Sequence, residues 1–304
     1  MCGPRREIDP SRPYNFLVEE EPNANGEIVS VATIFLTNRE CPWKCVMCDL
    51  WENTTTETVP VGALPAQIDF ALARLPPTRQ IKLYNSGSFF DPGAVPVADH
   101  AAIVQRVEHY ERVIVECHPK LVGPGCVNFA RRLRGQLEIA MGLETVHPEV
   151  LPRLNKRMSL PQFREAAAFL AHERLALRAF ILVQPPFMKP EEALPWARNS
   201  LDFAFTCNAT VASLIPTRTS AGPLQTLTEA GDFTPPTLDT LEAAQEYGLA
   251  LCRGRTLADL WDLEKFCRCP ACFQGRRERM ALMNLRQTVL PQITCGACGA
   301  GHRV

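Results

Sequence analysis

Residues 29–36 form an unbroken apolar, β-branched run, the pattern of a strand buried on both faces. Short runs of the same kind recur at 81–84, 112–116, 136–142, 177–183 and 209–215. Between them lie segments whose apolar residues fall three and four apart. These are 64–75, with Ile68, Leu72 and Leu75 on one face and Pro76-Pro77 as the stop, then 100–110, 129–133, the Ala-rich 160–172, and 191–205. Six strands alternating with helices predict right-handed β-α-β units and a parallel sheet. Eight such units close a barrel, and six fall short of that number. The polar residues just after each strand then line one rim, where α/β folds place ligands. Residues 1–28 are polar and Pro-rich with a turn at Asn23-Ala24-Asn25-Gly26, and read as a lead-in. Within it, Glu19-Glu20-Glu21 reads as a solvated face. The expected division is a lead-in at 1–28, an α/β core at 29–249 and a cysteine-rich module at 250–304.

Composition changes this picture little. The chain has 304 residues, 46% of them hydrophobic, enough for one large domain and a small appendage. Lys and Arg number 32 against 33 Asp and Glu, so net charge points to no class of partner. Residues 250–304 depart from that balance, with nine Lys/Arg and four Asp/Glu. No apolar run approaches the ~18 residues of a membrane span. The first ten residues lack the apolar core of a signal peptide. The expectation is a soluble, cytoplasmic protein with no membrane partner.

Of thirteen cysteines, seven carry the chemistry, at metal-binding rather than disulfide spacings. Cys41, Cys45 and Cys48 follow the first strand as C-x3-C-x2-C. Three thiolates on one loop can hold a 4Fe–4S cube and leave one iron open for a ligand. A zinc knuckle completed by a distant residue is the alternative. Further on, Cys269 and Cys272, then Cys295 and Cys298, make two C-x2-C pairs separated by 22 residues, a tetrathiolate pattern. Zinc suits such a closed site, and an auxiliary iron–sulfur cluster is the alternative; Cys267 and His302 are substitute ligands. A helix at 275–285 carries Arg276, Arg277 and Arg279, as either a phosphate-facing surface or a solvated face. Cys2, Cys117, Cys126, Cys207 and Cys252 read as small core residues, as do Met141 and Phe180.

The cysteine loop, with Trp43 inside it, resembles that of the radical S-adenosylmethionine superfamily. The resemblance implies a partial (βα)6 barrel with a small C-terminal metal-binding module. It also implies a 4Fe–4S cluster whose open iron chelates the methionine amine and carboxylate. Reductive cleavage then gives a 5′-deoxyadenosyl radical, with the electron supplied by a donor of flavodoxin or ferredoxin type. Asn85-Ser86-Gly87 stands where the superfamily carries a Gly-Gly-Glu-like turn for the methionine amine, without its acid. Glu116 resembles the Glu-x-x-Pro element of the branch containing coproporphyrinogen oxidases and the elongator catalytic subunit. Glu144 stands where that branch has an adenosine contact, and Lys156 where a basic residue meets the methionine carboxylate. Four stretches (38–42, 83–91, 142–145 and 269–272) are most similar to the archaeosine-synthase radical subunit. That implies carbon–nitrogen cleavage on a 7-deazaguanine nucleoside in tRNA, with a partner enzyme subunit conceivable. Arg157-Met158 departs from the branch's Gly-His. A radical enzyme on an unrelated small molecule, or a non-catalytic metal protein binding nucleic acid, are the alternatives.

Overall fold

In the computed structural model, which describes residues 8–219 and 223–299, one eight-stranded sheet runs in strict chain order. Its strands are β1 (Asn15–Pro22), β2 (Ile28–Phe35), β3 (Gln80–Tyr84), β4 (Arg112–Glu116), β5 (Gln136–Glu144), β6 (Ala176–Val183), β7 (Val211–Pro216) and β8 (Arg255–Ala258). Strands β2 to β8 are parallel, while β1 lies antiparallel on β2. The α-helices are α1 (Ala63–Leu72), α2 (His100–Val107), α3 (Pro124–Ala130), α4 (Val150–Arg153), α5 (Leu160–His172), α6 (Ala193–Thr206), α7 (Pro223–Glu229), α8 (Leu238–Ala250) and α9 (Pro270–Arg286). Local signals set several starts. Ser159 and Gln162 form a reciprocal capping box on α5, and Thr237 caps α8 through the Thr240 amide. The helix expected at 129–133 begins earlier, because Pro124 occupies the first turn, where its missing N–H costs nothing.

The six expected strands are present, with two more. One is β1, drawn from the stretch read as a lead-in. The run Glu19-Glu20-Glu21 is therefore not a solvated face, since Glu20 alone is exposed. Glu21 is buried and bonds Lys82 and Arg178, the latter at 2.7 Å, while Glu19 accepts from Lys82 and Thr33, both at 2.6 Å. Arg178 also meets Glu138 at 2.7 Å, and Arg112 meets Glu138 at 2.6 Å. Alternation along each strand sends these charges to the barrel interior while Ile81, Leu83, Leu137, Ile139 and Ala179 join the core under the helices. From β8, Arg255 donates to the Pro22 carbonyl of β1 at 2.6 Å, tying the last strand to the first.

Strand β8 is an edge, and α9 covers it. The Asn284 carboxamide accepts from Ala258 N–H and donates to Ala258 C=O, each at 2.8 Å. One turn on, Gln287 does the same to Thr256, at 2.8 and 3.1 Å. Two amide side chains thus stand in for a ninth strand, which removes the pairing liability of an open edge.

Candidate active site at the strand ends

Three connections after β3, β4 and β5 converge on the cysteine loop. In the first, a Cβ on Gly87 would stand 3.4 Å from the Cys41 Cβ, so the turn after β3 lies directly against the first cysteine. In the second, the His118 ring packs on Trp43 with centroids 4.3 Å apart. In the third, Asn155 donates to the carbonyls of Lys44 at 3.0 Å and Trp43 at 3.3 Å, and Val46 N–H to Leu154 C=O at 3.1 Å. Cys41, Cys45 and Cys48 are part-buried. Burial raises the thiols, Cys45 to about 11 and Cys48 to about 12, with Lys156 pulling Cys45 back. Unligated, all three are thiols at neutral pH, so a cluster's charge would have to draw their protons off.

The residues of the rim sit in strained backbone. Ser86, Glu144, Asn155, Arg157 and Gln184 all have positive φ, a conformation that concentrates at functional sites in non-glycine residues. At Gly142 to Glu144 the pairing of β5 with β6 shifts register, and this bulge re-aims Glu144. Its carboxylate meets Lys156 at 2.5 Å. Burial would lower the Lys156 ammonium, but Glu144 outweighs it and the net shift is upward, so the cation persists. Any side chain on Gly142 would collide with both partners. Glu116 lies against the turn after β3. Its carboxylate accepts from Asn85 N–H at 2.7 Å, and burial raises it to about 7, while the amides of Asn85, Ser86 and Gly87 pull it back. It holds the turn from below. Asn85 itself is fully buried with neither side-chain amide atom bonded, an arrangement that is costly unless a ligand completes it.

Sequence reading gave no role to two residues here. Burial lowers His118 to about 3, so its ring is neutral. Its Nδ1 accepts from Lys120 N–H at 3.2 Å, leaving Nε2–H to donate to Lys156 C=O at 3.0 Å. Tyr14, ahead of β1, places its hydroxyl 3.1 Å from Ser86 Oγ. No spacing in the sequence could have announced either contact, because each spans dozens of residues.

The second cysteine set lies apart from this rim. Ligand atoms of Cys269, Cys272, Cys295 and Cys298 all fall within 4.8 Å of one another. Cys267 instead turns its thiol to the Cys269 carbonyl, and His302 lies outside the described residues, as does Cys2. Between the pairs, Arg276 and Arg279 are buried, not phosphate-facing. Arg276 bonds Asp239 at 2.7 Å as well as Glu242, and Arg279 bonds Glu246 at 2.6 Å and Pro291 C=O at 2.8 Å. The acids of α8 thus latch the module, and only Arg277 of the three is exposed. Cys252 is also exposed rather than core.

No family profile matches the chain. Its structure is similar to that of the archaeal Methanocaldococcus infernus Elp3, with a TM-score of 0.55 and 14% identity, over 84% of this chain and 64% of that one. The two share a fold, a partial α/β barrel whose parallel strands run in chain order here. Coproporphyrinogen III oxidase from Escherichia coli, described as a radical S-adenosylmethionine enzyme, aligns at TM-score 0.44 and 14% identity, over 71% of this chain and 50% of that one. In sequence the chain is 22% identical to an uncharacterised protein of Methanocaldococcus jannaschii over 205 residues, 62% of this chain. It spans 56% of that relative's length. Among the described residues, no helix is long and apolar enough to cross a membrane.

Proposed function

We propose that the chain is a radical S-adenosylmethionine enzyme. Held by Cys41, Cys45 and Cys48, a 4Fe–4S cluster would supply reductive cleavage of the sulfonium and so a 5′-deoxyadenosyl radical. The observation that carries this reading is the unbonded Asn85 amide, buried in a turn that touches Cys41. With Ser86 and the permissive Gly87, it fits the methionine amine. Lys156 is the cation for the methionine carboxylate and Glu144 the acceptor for ribose hydroxyls. Glu116 fixes the turn rather than the ligand, and His118 fixes Lys156 through its carbonyl. The electron would come from a flavodoxin- or ferredoxin-type donor. Cys45→Ala should remove the cluster's broad visible absorbance and S-adenosylmethionine binding together; retention of both would contradict the assignment.

For the C-terminal site, the sulfur spacing favours a single ion. A tetrahedron with metal–sulfur bonds of ~2.3 Å has edges of about 3.8 Å. Cys272 and Cys298 sulfurs lie 3.7 Å apart, and those of Cys269 and Cys295 4.0 Å. A four-iron cube would spread them farther, since each sulfur binds its own iron. We assign zinc, and metal analysis should find about one zinc beside the four irons of the cube. Eight irons without zinc would make it an auxiliary cluster.

The substrate reading is a 7-deazaguanine nucleoside in tRNA undergoing carbon–nitrogen cleavage. Its support is the resemblance of 83–91 to the archaeosine-synthase radical subunit. With Arg276 and Arg279 latched inside, any phosphate contact on α9 falls to the exposed Arg277 and Arg286. Incubating tRNA carrying the lysine adduct tests this directly: loss of the adduct by mass spectrometry is expected, and an untouched adduct beside accumulating deoxyadenosine would overturn it.

A further inference from the structure

The barrel interior is layered. Lowest is the ionic layer of Glu21, Lys82, Glu138, Arg112 and Arg178, all buried. Two residues further along their strands, about 7 Å higher, come Tyr84 on β3 and Phe180 on β6. Three strand positions separate β3 from β6 in the sheet, yet these rings meet with centroids 6.0 Å apart, so they reach across the interior. Phe35, paired in register with Tyr84, joins them at 6.1 Å, and Trp261 from the loop after β8 packs on Phe35 at 6.0 Å. Above lies the polar rim. Tyr84 leads straight into Asn85, and Phe180 pairs with Gly142 beside the Glu144–Lys156 pair.

This aromatic layer is not sealed. Phe35, Tyr84 and Phe180 keep part of their surface exposed, whereas neighbours such as Ile34, Leu83, Ala179 and Ile181 have none, and Trp261 is 52% exposed. Nor is it wholly apolar, since Tyr84 brings a phenol hydroxyl to it. Burial pushes that phenol up to about 12, so it stays protonated and can donate. Large rings offer stacking without sequence of polar contacts, and a single donor at their margin offers orientation.

We propose that Phe35, Tyr84 and Phe180, walled by Trp261, form the substrate subsite, and that it takes a planar heteroaromatic ring with a hydrogen-bond acceptor at its edge. The inference rests on the radical S-adenosylmethionine reading, and it names the side of the site that faces the substrate rather than the cofactor.

Calorimetric titration of the anaerobically reconstituted full chain with 7-deazaguanosine tests it, with and without saturating S-adenosylmethionine and with ribose as a non-planar control. The nucleoside should bind in both conditions and ribose should not. Phe180→Leu should weaken binding about tenfold, in line with stacking on one ring. Tyr84→Phe, which keeps the ring and the fold, should weaken it about threefold to tenfold. Absence of nucleoside binding, equal binding of ribose, or unchanged affinity in both variants overturns the proposal. So does displacement by S-adenosylmethionine, which would make this the cofactor's adenine site. Deoxyadenosine formation in the same preparation separates the two readings. Cleavage without nucleoside binding removes the subsite alone, and nucleoside binding without cleavage removes the enzyme reading while supporting the ring site.

Discussion

Gly142 concentrates the chemistry of the rim into one missing side chain. Gly142→Ala would drive a methyl group into the Glu144 carboxylate and the Lys156 ammonium, so the pair must separate. Affinity for S-adenosylmethionine should fall at least about tenfold, the cost of one displaced charge-assisted bond, with melting temperature checked alongside. Unchanged affinity would show that the pair does not face the cofactor. Lower in the barrel, burial alone would raise Glu21, but Arg178 and Lys82 outweigh it and hold the carboxyl far below its ordinary 4.5. Glu138 is lowered in the same way by Arg178, Arg255 and Arg112. The unfolded chain therefore binds these protons more tightly, and the stabilisation is complete above 4.5 and lost as pH falls below it. Glu21→Gln should cost about 3–5 kcal/mol at neutral pH by stranding buried cations. It should also flatten the acid limb of a denaturation series, and a variant as acid-sensitive as the parent would contradict that.

At the scale of elements, legibility followed pattern strength. The strands at 29–36 and 177–183 were readable because long β-branched runs leave little choice. Strand β8 was not, because Arg255-Thr256-Leu257-Ala258 is four residues long and opens on a charge that pairs only across the barrel. Strand β1 was missed for a related reason: its glutamates mimic a solvated face unless Lys82 and Arg178 are known to lie opposite. The cysteines stood out by their spacing, and Glu144 and Lys156 were singled out only through the family resemblance, while Glu116's grip on the turn and the His118 link left no mark in the sequence, being three-dimensional. Helix α9 shows the same limit, since nothing local says that Asn284 and Gln287 will pair with a strand edge. Asn284→Leu should leave the Ala258 N–H and C=O unsatisfied and cost about 1–3 kcal/mol. Hydrogen exchange at 255–258 should rise, and protection equal to the parent would mean the edge does not depend on α9.

Across the whole molecule, the cysteine module is continuous with the barrel rather than appended to it. Cys269 and Cys272 begin α9, its arginines lock onto α8, and its last turn closes β8. Cys295→Ser should therefore loosen the β8 edge in hydrogen exchange while leaving the iron bound at Cys41, Cys45 and Cys48; an unchanged edge would show that the metal and the barrel are independent. The most direct measurement is of 5′-deoxyadenosine and methionine formed from S-adenosylmethionine by the reconstituted, dithionite-reduced protein without oxygen. Both products should appear in equal amounts, and neither from Cys45→Ala. A protein with its full complement of iron that yields no deoxyadenosine would contradict the central claim and leave a non-catalytic metal protein in its place.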